Sequence, residues 1–165
     1  MKDLNKLKKN ELITILKTIL NDHPEYYYLL NDEKMVKQNY NKVLKVIEKE
    51  MANHTGSVLK AYQVYGKYKL NDGDSKFLME LAFEFTGYLF EEIDTYGSEI
   101  PDDILDITLE VFEDACRLGV KYHQASRVRH LYDLLNSSIY QDEVALEFQD
   151  IMSYCGAYDL LEDSC

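Results

Sequence analysis

The chain has little that would interrupt a helix: two prolines and seven glycines in 165 residues. So few breakers argue against a loop-dominated architecture and favour long, uninterrupted helices. Cysteine is sparse as well. Cys116, Cys155 and Cys165 form no C-x-x-C pair. An odd, low count in a chain without a signal peptide reads as reduced thiols in a cytoplasmic protein. There is no tryptophan, and arginine occurs only as Arg117, Arg127 and Arg129. No apolar run approaches the ~20 residues needed to cross a bilayer; Leu12–Leu20 is interrupted by Lys17. Lys2, Lys6, Lys8 and Lys9 precede that stretch as they would in a signal peptide. A clean apolar region and a small-residue cleavage site are missing, so that reading fails. Strict apolar–polar alternation over six or more residues is absent too, which removes half-buried strands.

Apolar residues at spacings of three and four dominate instead, and the expected fold is all-α, with about eight helices. An apolar content of 46% supports a genuine core, and a chain of this length buries roughly 70% of its unfolded surface. The periodicity predicts helices over about 8–21, 24–30, 33–53, 57–69, 75–95, 101–119, 123–136 and 140–156. The breaks are Asp22–Glu25, the turn Asn71-Asp72-Gly73-Asp74, and Tyr96–Pro101. Asp74 is expected to cap the fifth helix and Pro101 to sit in the first turn of the sixth. Short connections predict antiparallel hairpins, with the most apolar helix, 75–95, at the centre. Residues 159–165 read as a frayed end.

Charge is divided unevenly along the chain. Residues 1–72 carry 13 Lys/Arg against 9 Asp/Glu, a net +4; residues 73–165 carry 5 against 21, a net −16. Length points to a single domain over residues 1–165. Within it the charge boundary separates a basic subdomain, residues 1–72, from an acidic subdomain, residues 73–165. Such a split implies either two surfaces for different partners or two faces that attract each other.

Leu4–Leu30, with its Leu-x-x-Leu and Glu-Leu-Ile positions before a Pro-Glu step, resembles a pattern in bacterial helical proteins. Residues 57–112 resemble a bacterial helical family of unknown function through Lys60-Ala61 with Tyr65, Glu84-Phe85-Thr86 within the Leu78–Phe85 helix, Tyr96-Gly97, and Phe112 with Glu113-Asp114-Ala115 just beyond. The resemblance implies a helical fold and a bacterial origin, and it carries no catalytic residue.

Candidate sites follow from side chains that share a helical face. Glu80, Glu84 and Glu91 recur on one face of the fifth helix; Asp103, Asp106, Glu110, Glu113 and Asp114 form an acidic band on the sixth. Facing carboxylates can hold divalent ions, and hard ions such as Mg²⁺ or Ca²⁺ suit oxygen ligands. The Glu-x-x-His pairing of di-iron bundles is missing at all four histidines. His123 and His130 lie seven apart with Arg127 between them, a face suited to phosphate or to the acidic bands. One candidate is therefore a ligand or metal site of Glu80, Glu84, Glu110, Asp114, His123 and His130, serving a metal-assisted hydrolase or a small-ligand-binding protein. Lys60, Lys67 and Lys69 among Tyr62, Tyr65 and Tyr68 offer the cation–aromatic mixture of nucleic-acid binders, but the acidity of the whole chain opposes it. Tyr26, Tyr27, Tyr28, Leu29 and Leu30 cannot all face inward on one helix, so they form a candidate interaction patch.

No G-x-S-x-G, Walker loop or Cys/His signature is present. The sequence therefore reads as a non-enzymatic, cytoplasmic protein-interaction module. It is expected to need no cofactor or resident metal, to engage a protein partner or a second copy of itself, and to engage neither membrane nor nucleic acid.

Overall fold

A computed structural model describes residues 12–15, 18, 33–52, 57–72, 75–96, 99–137 and 142–163. Every regular element among them is α-helical: α1 (Glu33–Ala52), α2 (Val58–Asp72), α3 (Lys76–Tyr96), α4 (Asp102–Lys121), α5 (Ala125–Ser137), α6 (Asp142–Tyr154) and α7 (Ala157–Glu162). Residues 12–15 are helical as well. The expected helices before residue 33 otherwise lie outside the described residues.

Local chemistry sets the ends. Ser57 Oγ accepts the Lys60 N–H at 3.2 Å, and Ser75 Oγ accepts the Leu78 N–H at 3.0 Å. Each serine thereby satisfies one of the orphan donors of a first helical turn. Ser75 makes the cap that the sequence assigned to Asp74, which lies outside the described residues. Pro101 occupies the N-cap of α4, with Asp102 and Asp103 in the first turn, where the helix dipole favours carboxylates. The exit from α4 is a Schellman motif. His123 takes a left-handed φ of 53°; its N–H donates to Val120 O at 3.0 Å, and Gln124 N–H donates to Gly119 O at 2.8 Å.

Periodicity chooses the buried faces. In α1, Ile47 is fully buried and Tyr40, Val43, Leu44 and Met51 pack against the same core, while Lys42, Lys45 and Lys49 are exposed. In α2 the stripe is Val58, Ala61, Tyr65 and Tyr68. Leu59, one step off that stripe, is exposed. Ten residues are buried in α3 and ten in α4.

The largest helix–helix contact joins α3 and α4. α1 and α2 pack together and on α3; α2, α5, α6 and α7 also pack on α4. The centre is thus a helix pair rather than α3 alone. Phe90 of α3, Phe112 of α4 and Phe148 of α6 meet there, with ring centroids 4.9 to 5.9 Å apart.

The sequence missed α7. Gly156 adopts φ 71° after α6, a conformation glycine takes without steric penalty. The chain then continues as a helix that buries Ala157 and Leu161 where fraying was expected. Arg129 of α5 ties it down by donating to Leu161 O at 3.2 Å.

Candidate functional site

The six residues of the sequence-derived ligand site separate into three places. Glu110 and Asp114 belong to the seam between α2 and α4. The Asp114 side chain is buried, and its Oδ2 accepts the Tyr65 hydroxyl at 2.8 Å and Lys69 Nζ at 2.6 Å; its Oδ1 accepts an Arg117 guanidinium N–H at 3.1 Å. Glu110 accepts the Tyr62 hydroxyl and lies 3.4 Å from Lys69 Nζ. A lysine of the net-positive stretch, residues 1–72, here meets two carboxylates of the net-negative stretch, residues 73–165. Helical geometry brings this about: residues 62, 65 and 69 share one face of α2, as do 110, 114 and 117 on α4. Of the cation–aromatic mixture on α2, which the chain's acidity argued against as a nucleic-acid surface, Tyr65 and Tyr68 are buried and Tyr62 and Lys69 bind carboxylates, while Lys60 and Lys67 are exposed.

This seam has a titration signature. Burial, with Asp114 alongside, pushes the Tyr65 phenol far above its usual value. Donation to Glu110, followed by burial, pushes Tyr62 up to about 12. For Lys69, burial alone would lower the value, but the hydrogen bond and charge of Asp114, joined by Glu110, raise it overall. All three hold their protons more tightly in the folded chain than in the unfolded one. Their contribution is complete below the unfolded values of 10.0 for tyrosine and 10.5 for lysine, and it is lost as pH rises through the folded values. Urea midpoints are therefore expected to hold steady up to about pH 10 and then fall steeply toward pH 12. A Tyr62→Phe/Tyr65→Phe double variant should show a shallower fall. A midpoint unchanged at about pH 11.5 would contradict the seam.

Glu80, Glu84 and His130 lie on the other side of α3. Both α3 and α5 lean on α4, where Gly119 allows close approach: a Cβ there would meet Val128 Cγ2 at 2.7 Å and Phe83 Cζ at 3.0 Å. Between α3 and α5 runs a cleft of about 370 Å³ lined by Phe83, Glu84 and Gly87 on one wall and Ser126, Arg127, His130, Leu131 and Leu134 on the other. Arg127 is ion-paired with Glu80 and stacks over Phe83, 5.4 Å from its centroid. Arg127 is thus engaged by an acid rather than held ready for phosphate. Glu84 and His130 are exposed at the cleft. His123, the third member of the expected His–Arg–His face, is used by the chain reversal after α4.

Phe83, Ser126, Leu131 and Leu134 were not singled out by the sequence. The usable signal was Gly87. A glycine inside a helix costs roughly 0.5–1 kcal/mol relative to alanine, yet among the described residues, its own helix turn aside, no atom lies within 4 Å of where its Cβ would stand. No packing contact among the described residues requires it. Gly87→Ala is accordingly expected to stabilise by about 0.5–1 kcal/mol, raising the melting temperature by about 1–4 °C. Gly119→Ala has the opposite sign, since Val128 and Phe83 must be forced apart, at about 1–3 kcal/mol. Thermal melts of the two variants moving in the same direction would refute the packing at the α4–α5 crossing.

Tyr26, Tyr27, Tyr28, Leu29 and Leu30 lie outside the described residues. Among those described, no three His, Cys, Asp or Glu side chains converge to hold a metal ion. Cys116 is buried, Cys155 half-buried, and both are free thiols. No described helix is long and apolar enough to cross a membrane. Compared with known proteins, the chain matches no family model, no curated protein and no solved structure.

Proposed function

We propose that this chain is a non-enzymatic, cytoplasmic protein-interaction module whose α3/α5 cleft receives a helix of a partner protein. The observation that carries the reading is the cleft's lining. Residues 83, 84 and 87 recur at helical spacing on one wall, and 126, 127, 130, 131 and 134 on the other. The cleft's apolar lining is the half-buried Leu134 with the edges of buried Phe83 and Leu131, beside exposed Glu84, Ser126 and His130. Grooves of this kind take the apolar face of an amphipathic helix. Strand addition has no template here, because no sheet edge exists among the described residues. Gly87 fits the same reading: a helix-interior glycine with no packing need among the described residues leaves backbone open to close approach.

A photo-reactive residue at Ser126 tests it, with one at the exposed Lys45 of α1 as control. Irradiation in the native host is expected to give a discrete protein adduct from position 126 and none from 45. Gly87→Leu, whose Cβ meets no described atom outside its own helix turn within 4 Å, should abolish that adduct. An adduct that persists in Gly87→Leu, or fails to form from Ser126, refutes the cleft as the docking surface.

A further inference from the structure

We infer that the outer face of α2 receives the outer face of α6 from a second copy of this chain, so that copies associate head to tail through surfaces separate from the α3/α5 cleft. The first observation is where the exposed apolar side chains fall. Tyr154 at 85%, Leu70 at 73%, Leu146 at 56% and Leu59 at 52% are the four most exposed large apolar residues among those described, and they sit on only two helices. On α2, positions 59, 63, 66 and 70 recur at i, i+4, i+7 and i+11. That spacing aligns Leu59, Gln63, Gly66 and Leu70 on one face, with exposed Lys60 and Lys67 beside them. On α6, positions 146, 147, 150 and 154 fall within about a third of the helix circumference. Leu146 and Tyr154 thus share a face with exposed Glu147 and Asp150. Each face lies opposite a buried one: Val58, Ala61, Tyr65 and Tyr68 on α2, Phe148 and Met152 on α6. A helix of a single fold needs one apolar side, and these two carry apolar residues on both.

Charge selects the occupant. Every exposed charged residue described on α1 and α2 is a lysine: Lys37, Lys42, Lys45, Lys49, Lys60 and Lys67. Every one described on α6 and α7 is an acid: Glu147, Asp150, Asp159 and Glu162. The chain therefore supplies, on α6, the complement of its own α2 face. Within one molecule the two do not meet, because α2 packs on α1, α3 and α4, α6 packs on α4 and α7, and both faces stay exposed. The net −12 of each copy opposes approach at long range. At about 0.1 M salt, however, charges are screened over about 10 Å, which leaves the facing groups to decide.

The stripes are of similar length. Leu59 to Leu70 spans eleven helical steps, about 16 Å, and Leu146 to Tyr154 eight, about 12 Å. Gly66 lies within the α2 stripe, and, its own helix turn aside, no described atom stands within 4 Å of where a Cβ would be. An aromatic ring from outside can approach the backbone there. Because the joined faces differ, the contact is heterologous, and addition continues into chains unless the rotation closes a ring. Two single helix faces bury less than about 1,200 Å², the range of weak and transient complexes.

Sedimentation equilibrium of the full chain at about 0.1 M salt is expected to show a mass that rises between about 10 μM and about 1 mM protein. The rise should shrink at about 1 M salt, where screening shortens to about 3 Å. Tyr154→Ser should weaken association about tenfold. The charge reversals Lys60→Glu/Lys67→Glu and Glu147→Lys/Asp150→Lys, all at exposed positions, should each leave a folded monomer. Mixed in equal amounts they should associate again, since each reversed face then meets an oppositely charged one. A photo-reactive residue at Gln63 should cross-link to α6 of another copy.

A wild-type chain that stays monomeric up to about 1 mM overturns the inference, as does a mixture of the two reversed variants that stays monomeric. Association that strengthens at high salt and survives Lys60→Glu/Lys67→Glu pairs α6 with α6 and overturns it as well. A cross-link from Gln63 to residues 1–32 of the same chain gives the α2 face to the chain's own start, and that too overturns it.

Discussion

Replacing Asp114 with alanine is expected to cost about 3 kcal/mol of folding stability. The residue is 4% exposed, and its carboxylate is the common acceptor for Tyr65, Lys69 and Arg117. Truncating one member of a buried charged network costs about 3–5 kcal/mol, because the remaining members keep the desolvation they suffered while losing their partner. The lower end applies here. Lys69 and Arg117 are 33% and 38% exposed, so water recovers part of their hydration once the carboxylate is gone. The Tyr65 hydroxyl has no such recourse: it is left buried with nothing to accept its proton, at about 1–3 kcal/mol. Tyr65→Phe removes that donor while keeping the ring 5.6 Å from Phe85, and it should cost only about 1 kcal/mol. The two changes are not additive. Once Asp114 is absent, deleting the orphaned hydroxyl should restore part of the loss, so the Asp114→Ala/Tyr65→Phe double variant is expected to be more stable than the sum of the single effects. Urea unfolding of the four species closes the cycle. An Asp114→Ala cost below about 1 kcal/mol would mean that the seam is wet and that α2 is held to α4 by apolar contact alone.

How much of this was legible depends on how local the cause is. The helices from residue 33 to 154 were readable because their signals are local: apolar residues three and four apart, with Gly, Pro and Ser at the breaks. The burial of Asp114 was also within reach. It stands three after Val111 and four before Leu118, both fully buried, which places it on the apolar stripe of α4 rather than in the solvated acidic band. Grouping it with Asp103, Asp106 and Glu110 by charge alone hid that. The end of α4 was harder to read, because His123 fills a position usually given to glycine, and nothing in its neighbours announces a left-handed residue. α7 was missed because its six residues, Ala157–Glu162, offer less than two turns of periodicity. The cleft as a shape was not legible, although the sequence singles out Glu84, Arg127 and His130 of its lining. It exists because α3 and α5 rest on a common support without filling the gap between them, a relation between helices some forty residues apart that no local spacing encodes. Charge is what marks those three, and of the other lining residues only Gly87, a helix-interior glycine, carried a signal.

Phe112→Ala is expected to have the largest effect of any single truncation, about 3–5 kcal/mol. Phe112 is fully buried in α4. Its ring meets Phe148 edge-on at 4.9 Å and Phe90 at 5.9 Å, and the latter two rings are 5.3 Å apart. Truncation therefore loses the transfer energy of one ring, leaves a cavity where α3, α4 and α6 come together, and removes two edge-on contacts worth about 0.5–1.5 kcal/mol each beyond area. Collapse of the neighbours into that space is opposed by Ala115 and Cys116, which follow on the same helix and are themselves fully buried. Native domains hold only about 5–15 kcal/mol in total, so this one change is large enough to populate the unfolded chain at 37 °C. Phe148→Ala should differ in kind. Phe148 sits on the more peripheral α6, which packs chiefly on α4 and α7, so its loss is expected to free α6 locally before the α3–α4 pair yields. Hydrogen exchange separates the two outcomes. Phe112→Ala should accelerate exchange throughout α3 and α4, and Phe148→Ala chiefly in α6 and α7. Uniform acceleration in both variants would show that the seven helices unfold as one unit, with α6 as integral to the core as α4.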